Sequence, residues 1–286
     1  MVPRRIWLCA DDYGISPGVN RAIRKLVERG RLNATSVMVA APHLGDDEAH
    51  ELGLLNTGEP RVAIGLHVTL TGRFKPLSDR YHPQSHGHFI SNGQLLSRAM
   101  ARRLNPNLLT LEIATQLRTF LEIFGRPPDF VDGHQHVQLL PQVRDAFLRV
   151  VAETAPRAWV RQCGRVPGVR SLQDRKALVI DVLNLGFRSQ AARLGLATNP
   201  AFAGAYAFTD KADFAAIFPR FLAGMPDGGL IMCHPGFVDA ELKRLDPLTD
   251  LREREFAYFN SQQFPEVLAR HGVELARPAG NGAEAP

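Results

Sequence analysis

An alternation limits the folds open to this chain more than any other feature. Short apolar runs are followed by longer helical patterns almost from end to end. The runs are Arg5 to Ala10, Ala34 to Ala41, Val62 to Val68, Phe130 to His136, Trp159 to Cys163, Gly229 to Cys233 and Val273 to Ala276. Their length and their flanking turn residues mark them as strands. Ser16 caps a helix and Pro17 opens it; it runs to about Arg29, where Gly30 stops it. Helical patterns follow at Thr110 to Phe124, Pro141 to about Thr154, Asp213 to Ala223 and Glu253 to Arg270. Residues 73–107, with many His, Ser, Pro and Gly, read as a long irregular insertion. Residues 173–208 carry helical segments and a short strand near Ala205 to Phe208. Strands that alternate with helices build a mainly parallel sheet. About seven such units suit a closed or partly closed (β/α) barrel better than an open sheet. No repeat or linker divides the pattern, so residues 1–277 are expected to form one domain, with the small, polar tail 278–286 disordered.

Charge and cysteine content narrow the function classes. The formal net charge is +5, but the basic residues are scattered, in clusters no denser than Arg4-Arg5 or Arg102-Arg103. A nucleic-acid binder presents a denser stripe with interleaved aromatics, so no nucleic-acid partner is expected. Cys9, Cys163 and Cys233 each sit in an apolar run without a CxxC pair, as buried free thiols of a reducing compartment would. No stretch reaches the length of a membrane span, and the first residues contain no long apolar segment. A cytoplasmic protein is the expectation, and a homodimer is the commonest closed assembly it could form.

Polar, metal-competent residues gather where the predicted strands end: Asp11 and Asp12, His67, Asp132 with His134 and His136, Arg161, and His234. In a β/α barrel those ends converge on one rim, where active sites lie. Taken alone, His67 reads as a core histidine and His234 equally as a turn residue or an acid; Asp11-Asp12 reads as a functional pair, since Ser16 is the better cap, and the agreement of all these residues favours a site. Strand periodicity puts Asp132, His134 and His136 on one face, with Gln135 on the other. Burying three such groups is costly without a metal or a hydrogen-bond network. A carboxylate with two imidazoles makes a metal centre with open positions, as hydrolysis requires. A second carboxylate would serve as base and a further histidine, His234, as acid. Arg161, buried in a strand, needs a carboxylate partner, and Asp11 is the candidate. His82, His86 and His88 fall in the insertion and read as a solvated loop. The chain has no nucleophile-elbow GxSxG, no P-loop and no dinucleotide fingerprint.

The segments CADDYGISPGVNRAI, TSVMV, IGLHVTLTG, PDFVDGHQHVQLLP, WVRQ and MCHPG, in that order, resemble the YdjC-like (ChbG/HpnK) family of carbohydrate deacetylases. The resemblance runs from about residue 5 to residue 272. It implies a deformed (β/α) barrel of the polysaccharide-deacetylase type. It also implies removal of acetyl groups from N-acetylglucosamine units of chitooligosaccharides or glycolipids. By motif position, Asp11 would be the base, His234 the acid, and Arg161 the residue that orients Asp11. Asp12, His67 and His134 would hold one divalent ion, magnesium or zinc. Tyr13, His136 and Asp132 are expected to contact the sugar. Gln138 stands where many relatives have a histidine, and Tyr13 where many have phenylalanine. Two other readings stay open at this point: an amidase acting on a non-sugar substrate, and a metal-containing sugar-binding protein without catalysis.

Overall fold

Strands buried on both faces of a parallel sheet read as continuous apolar runs, because helices cover each face. The computed structural model of the chain describes residues 2–82, 86–166, 175–209 and 212–278, the side chains of 175–177 excepted. Its strands are β1 (Arg4–Tyr13), β2 (Ala34–Val37), β3 (Ala63–Val68), β4 (Phe130–Gly133), β5 (Trp159–Val160), β6 (Phe202–Ala203), β7 (Leu230–Cys233) and β8 (Val273–Leu275). They lie in the order β5-β4-β3-β2-β1-β7-β6, with β8 on the first residues of β1, and the pairings are parallel.

The sheet curls. Trp7 on β1 and Trp159 on β5 are four strands apart, which in a flat sheet means roughly 19 Å. Their ring centroids are 6.1 Å apart. Phe130 on β4 stacks on Trp159 with centroids 4.5 Å apart. Gly65 on the neighbouring strand makes room for it, since a Cβ there would meet the Phe130 ring at 2.4 Å. The result is a half-barrel whose edges meet at a parallel bridge from Val160 to Thr198 and at the bond from Phe202 N to the Gly164 carbonyl. Asn33 ties β1 to β8 at its base: its amide donates to the carbonyls of Ile6 and Ala276, and its oxygen accepts from Leu8 N. No helix among the described residues is long and apolar enough to cross a membrane.

Several sequence expectations need correction. The stretch 73–107 is not an irregular insertion throughout. Helix Asn92–Met100 forms within it behind a Ser91–Gln94 capping box, and helix Pro106–Phe124 begins before it ends. Phe74, Tyr81, Phe89, Ile90, Leu95 and Ala99 are buried there. Glu112, fully buried on the long helix, accepts from the backbone N–H groups of Leu77 and Ser78 and pins the segment in place. The pattern Glu253 to Arg270 is two helices, Asp250–Asn260 and Gln263–Arg270. Two short helices, Asp46–Leu54 and Ala240–Leu245, were not anticipated. The short strand expected near Ala205 is Phe202–Ala203. Residues 279–286 of the expected tail lie outside the described residues.

Candidate active site

The site starts from an irregularity in β1. Ala10 pairs with Thr35 and Tyr13 with Val37, so Asp11 and Asp12 together face the single residue Ser36. This is a β-bulge. Asp12 closes it in the left-handed conformation at φ 70°, which costs a non-glycine residue of the order of 1–3 kcal/mol. Gly14 follows at φ 100°, where a Cβ would lie 3.1 Å from the Met38 carbonyl oxygen. A regular strand would send two adjacent side chains to opposite faces. The bulge instead delivers both carboxylates to the same end of the barrel, in different company.

Asp12 faces two imidazoles. Its Oδ1 is 2.9 Å from His134 Nδ1 and 3.4 Å from His67 Nε2. The three residues are buried, and each offers a ligand atom within 4.8 Å of the other two. The remaining nitrogen of His67, Nδ1, donates to Asp132 Oδ1 at 2.5 Å, and Ser36 Oγ donates to the same oxygen. A carboxylate behind a histidine fixes its tautomer and aims the other nitrogen at a cation. The donor set therefore fits a divalent ion. Burial pushes the His67 pKa down, but Asp132 and Asp11 outweigh it and carry the ring to about 10, so a cation at Nε2 would take the place of a proton there. Burial likewise opposes ionisation of Asp12, yet Arg252 and His134 hold it well below the usual carboxylate range.

Asp11 faces Arg161, which follows β5. Both guanidinium Nη atoms donate to its two oxygens at 2.7 Å. Nη2 also lies 3.0 Å from Cys9 Sγ and 2.5 Å from Asp132 Oδ2. Cys9, Asp11 and Asp132 are themselves close enough to ligate an ion, but Arg161 already fills the space between them. Burial raises the pKa of Asp11, and Arg161, with help from His67 and His234, reverses this and brings it to about 2. His234 follows β7. Its backbone N–H donates to Glu255 Oε2 at 2.5 Å, its ring meets Phe208 edge-on, and its Nδ1 has no partner among the described residues. Glu255 is buried, takes a second bond from the Tyr206 hydroxyl at 2.6 Å, and is raised above the ordinary glutamate pKa by that burial.

The three expected substrate contacts, Asp132, Tyr13 and His136, have the following surroundings. Strand β4 ends at Gly133, and Gln135 and His136 turn left-handed at φ 55° and 59°. Asp132, His134 and His136 thus do not share a strand face, and Gln135 is exposed on a turn. Asp132 is fully buried and serves His67 and Arg161. Tyr13 is buried too, with its hydroxyl donating to Glu48 and accepting from Arg24 at 2.8 Å, away from the carboxylates. His136 is half-buried, 3.6 Å from Cys163 Sγ and edge-on to Phe202. Burial and the nearby Arg161 charge lower its pKa to about 3. Gln138 is buried and donates to the Arg161 carbonyl at 3.4 Å. Phe74, from the segment after β3, lies edge-on to His134 with centroids 6.0 Å apart. Sequence reasoning missed Ser36, Phe74, Arg252 and Glu255. A serine inside an apolar strand was a signal for the first. Leu251, Arg252, Glu255, Tyr258 and Phe259 share the buried helix face, and that spacing was the signal for the last two.

Fold and site together define an α/β half-barrel protein with a histidine–carboxylate centre at the C-terminal rim of its strands. Residues 5–270 match the model of the YdjC-like protein family, and the chain belongs to that family. The chitooligosaccharide deacetylase of Escherichia fergusonii is 26% identical over 270 residues, covering 93% of this chain and 94% of its own. The carbohydrate deacetylase of Vibrio cholerae serotype O1 is 26% identical over 273 residues, covering 93% and 92%. Among solved structures, a proposed cellobiose-phosphate cleavage protein from Enterococcus faecalis superposes with a TM-score of 0.73 at 22% identity, over 96% of this chain and 97% of that one. That likeness shows the shared fold.

Proposed function

We propose that this chain is a metal-dependent N-deacetylase that hydrolyses the acetamide of N-acetylglucosamine units in chitooligosaccharides or glycolipids. The observation that carries the reading is the split of one bulge between two tasks: Asp12 turned to His67 and His134, Asp11 clamped by Arg161. The names of the two curated relatives point the same way. A continuous buried core supports treating residues 1–277 as one catalytic unit. Asp12, His67 and His134 would hold the ion, and two imidazoles with one carboxylate suit zinc better than magnesium. When bound, the ion supplies a Lewis acid for the scissile carbonyl and makes water a stronger acid.

The chain's own groups supply the rest. Asp11 stays ionised throughout the working pH range, so it accepts a proton from the attacking water. Its low basicity would suffice only with water that such an ion makes more acidic. Arg161 keeps both Asp11 oxygens in register and, through Asp132, holds His67 as well, so base and ligand share one anchor. An amine leaves poorly unless protonated. The ring of His234, edge-on to Phe208 and with its Nδ1 unpartnered among the described residues, delivers that proton, and Glu255 fixes its backbone. Phe74 walls the His134 side and excludes water there. The test is acetate release from N-acetylglucosamine, chitobiose, longer chitooligosaccharides and an N-acetylglucosaminyl lipid. The assay is run before and after chelation, with zinc or magnesium restored. Release that a chelator abolishes and one metal restores is the expected result; activity indifferent to chelation would refute the metal role.

A further inference from the structure

Arg252 lies far from the motif residues in sequence, on helix Asp250–Asn260, yet its guanidinium is fully buried at the site. Nη2 donates to Asp12 Oδ2 at 2.6 Å and to Asp246 Oδ2 at 2.7 Å, and Nε donates to the Leu248 carbonyl at 3.0 Å. The two oxygens of Asp12 are therefore divided: Oδ1 toward His67 and His134, Oδ2 held by an arginine. The arginine is itself anchored on three sides. Its backbone carbonyl accepts from Gly236 N, two residues after His234, and Gly236 can approach because a Cβ there would lie 3.4 Å from Arg252 and 2.9 Å from Val19.

We propose that Arg252 is a positioning residue that restricts Asp12 to a one-oxygen metal ligand. This rests on the reading of Asp12, His67 and His134 as the metal site. A carboxylate free at both oxygens can bind an ion in bidentate fashion and fill one more coordination position. Hydrolysis needs that position for water and the substrate carbonyl. Arg252 occupies Oδ2 and keeps the position open. It also places a fixed positive charge near the ion, which weakens binding by Coulomb repulsion. The arrangement gives up affinity and keeps an open coordination sphere. A purely structural arginine predicts the opposite: its loss would loosen metal binding and activity together.

Cobalt(II) binding to the full chain separates these outcomes, because visible absorption reports coordination number and titration reports affinity. Arg252→Met should bind cobalt at least about tenfold more tightly, the expected direction and scale for removing a nearby charge. Its visible bands should weaken as coordination number rises, and kcat should fall at least about tenfold while KM changes little. Arg252→Lys keeps the charge and should restore much of the wild-type spectrum. Should Arg252→Met not fold, Asp246→Asn serves, since Asp246 steadies Arg252 without touching Asp12. Its spectrum should move in the same direction by less, while its affinity should not rise, because a negative charge near the ion is lost with it. If wild type binds cobalt and Asp12→Ala does not, but Arg252→Met leaves spectrum and affinity unchanged or weakens binding, or in its place Asp246→Asn leaves the spectrum unchanged, the inference is overturned and the metal reading stands. If wild type binds no cobalt, both fall.

Discussion

Arg161→Met is the most informative single change, because two buried carboxylates depend on that guanidinium. Asp11 receives two contacts at 2.7 Å and Asp132 one at 2.5 Å, and none of the three side chains is more than 3% exposed. Removing one partner from a buried ion pair costs about 3–5 kcal/mol. The Asp11 share follows from its pKa, about 2 against the ordinary 3.8. At about 1.4 kcal/mol per unit that is roughly 2–3 kcal/mol. Because the folded pKa is the lower one, this stability is present above the unfolded value and is lost as pH falls through about 2. Without Arg161, burial dominates and raises the Asp11 pKa, so the deficit should grow from pH 4 to pH 7.5. Guanidinium chloride unfolding followed by far-UV circular dichroism measures it for wild type, Arg161→Met, Asp11→Asn and the double variant. The double variant should be more stable than Arg161→Met alone, since asparagine leaves no buried charge. A loss below about 1 kcal/mol at pH 7.5, small beside the range for broken buried pairs, would refute the clamp. So would strictly additive losses in the double variant.

Other expectations are as direct. Asp11→Asn should retain metal, by elemental analysis, and lose at least about a hundredfold in kcat, the scale of a lost general base. His234→Ala should do the same. His134→Ala should lose metal and activity together, while Gln135→Ala, exposed on its turn, should lose neither. Glu112→Ala should cost about 1–3 kcal/mol by leaving the Leu77 and Ser78 N–H groups unpaired and should raise KM through Phe74, read by thermal melts and initial rates. His136, lowered to about 3, is neutral in the fold. Its contribution is complete above the unfolded value of 6.5 and falls away as pH drops through 3, at up to about 1.4 kcal/mol per pH unit. His136→Asn should remove that part of the acid slope.

Most of the barrel could be read from the chain because apolar runs and helix caps are local. Arg5 to Ala10, Ser16 with Pro17, and Gly125 after the long helix act on neighbours within a turn. The meeting of Arg161 with Asp11 was legible too, since a buried arginine needs an acid and few acids end strands. What escaped depends on geometry that only the assembled sheet fixes. The β1 bulge arises from pairing with β2, and nothing in Asp-Asp-Tyr announces it. The left-handed pair Gln135-His136 hides in what reads as strand alternation, so His134 reaches the site from a turn. Arg252 sits in Leu-Arg-Glu-Arg-Glu, which has the composition of a solvated helix; only contact with β1 across the barrel reveals its partner. Tyr13 shows the converse: proximity in sequence to both carboxylates did not bring its hydroxyl to them.

The contact between β1 and β5 has an optical consequence. The chain contains two tryptophans, and both are in it, 6.1 Å apart and tilted by 41°. Indoles that close couple electronically, so the near-ultraviolet dichroism and emission of the whole protein report on one spot, the place where the curl brings distant strands together. An opening of the half-barrel that parts β1 from β5 would separate that pair. Unlabelled protein thus carries its own gauge of closure.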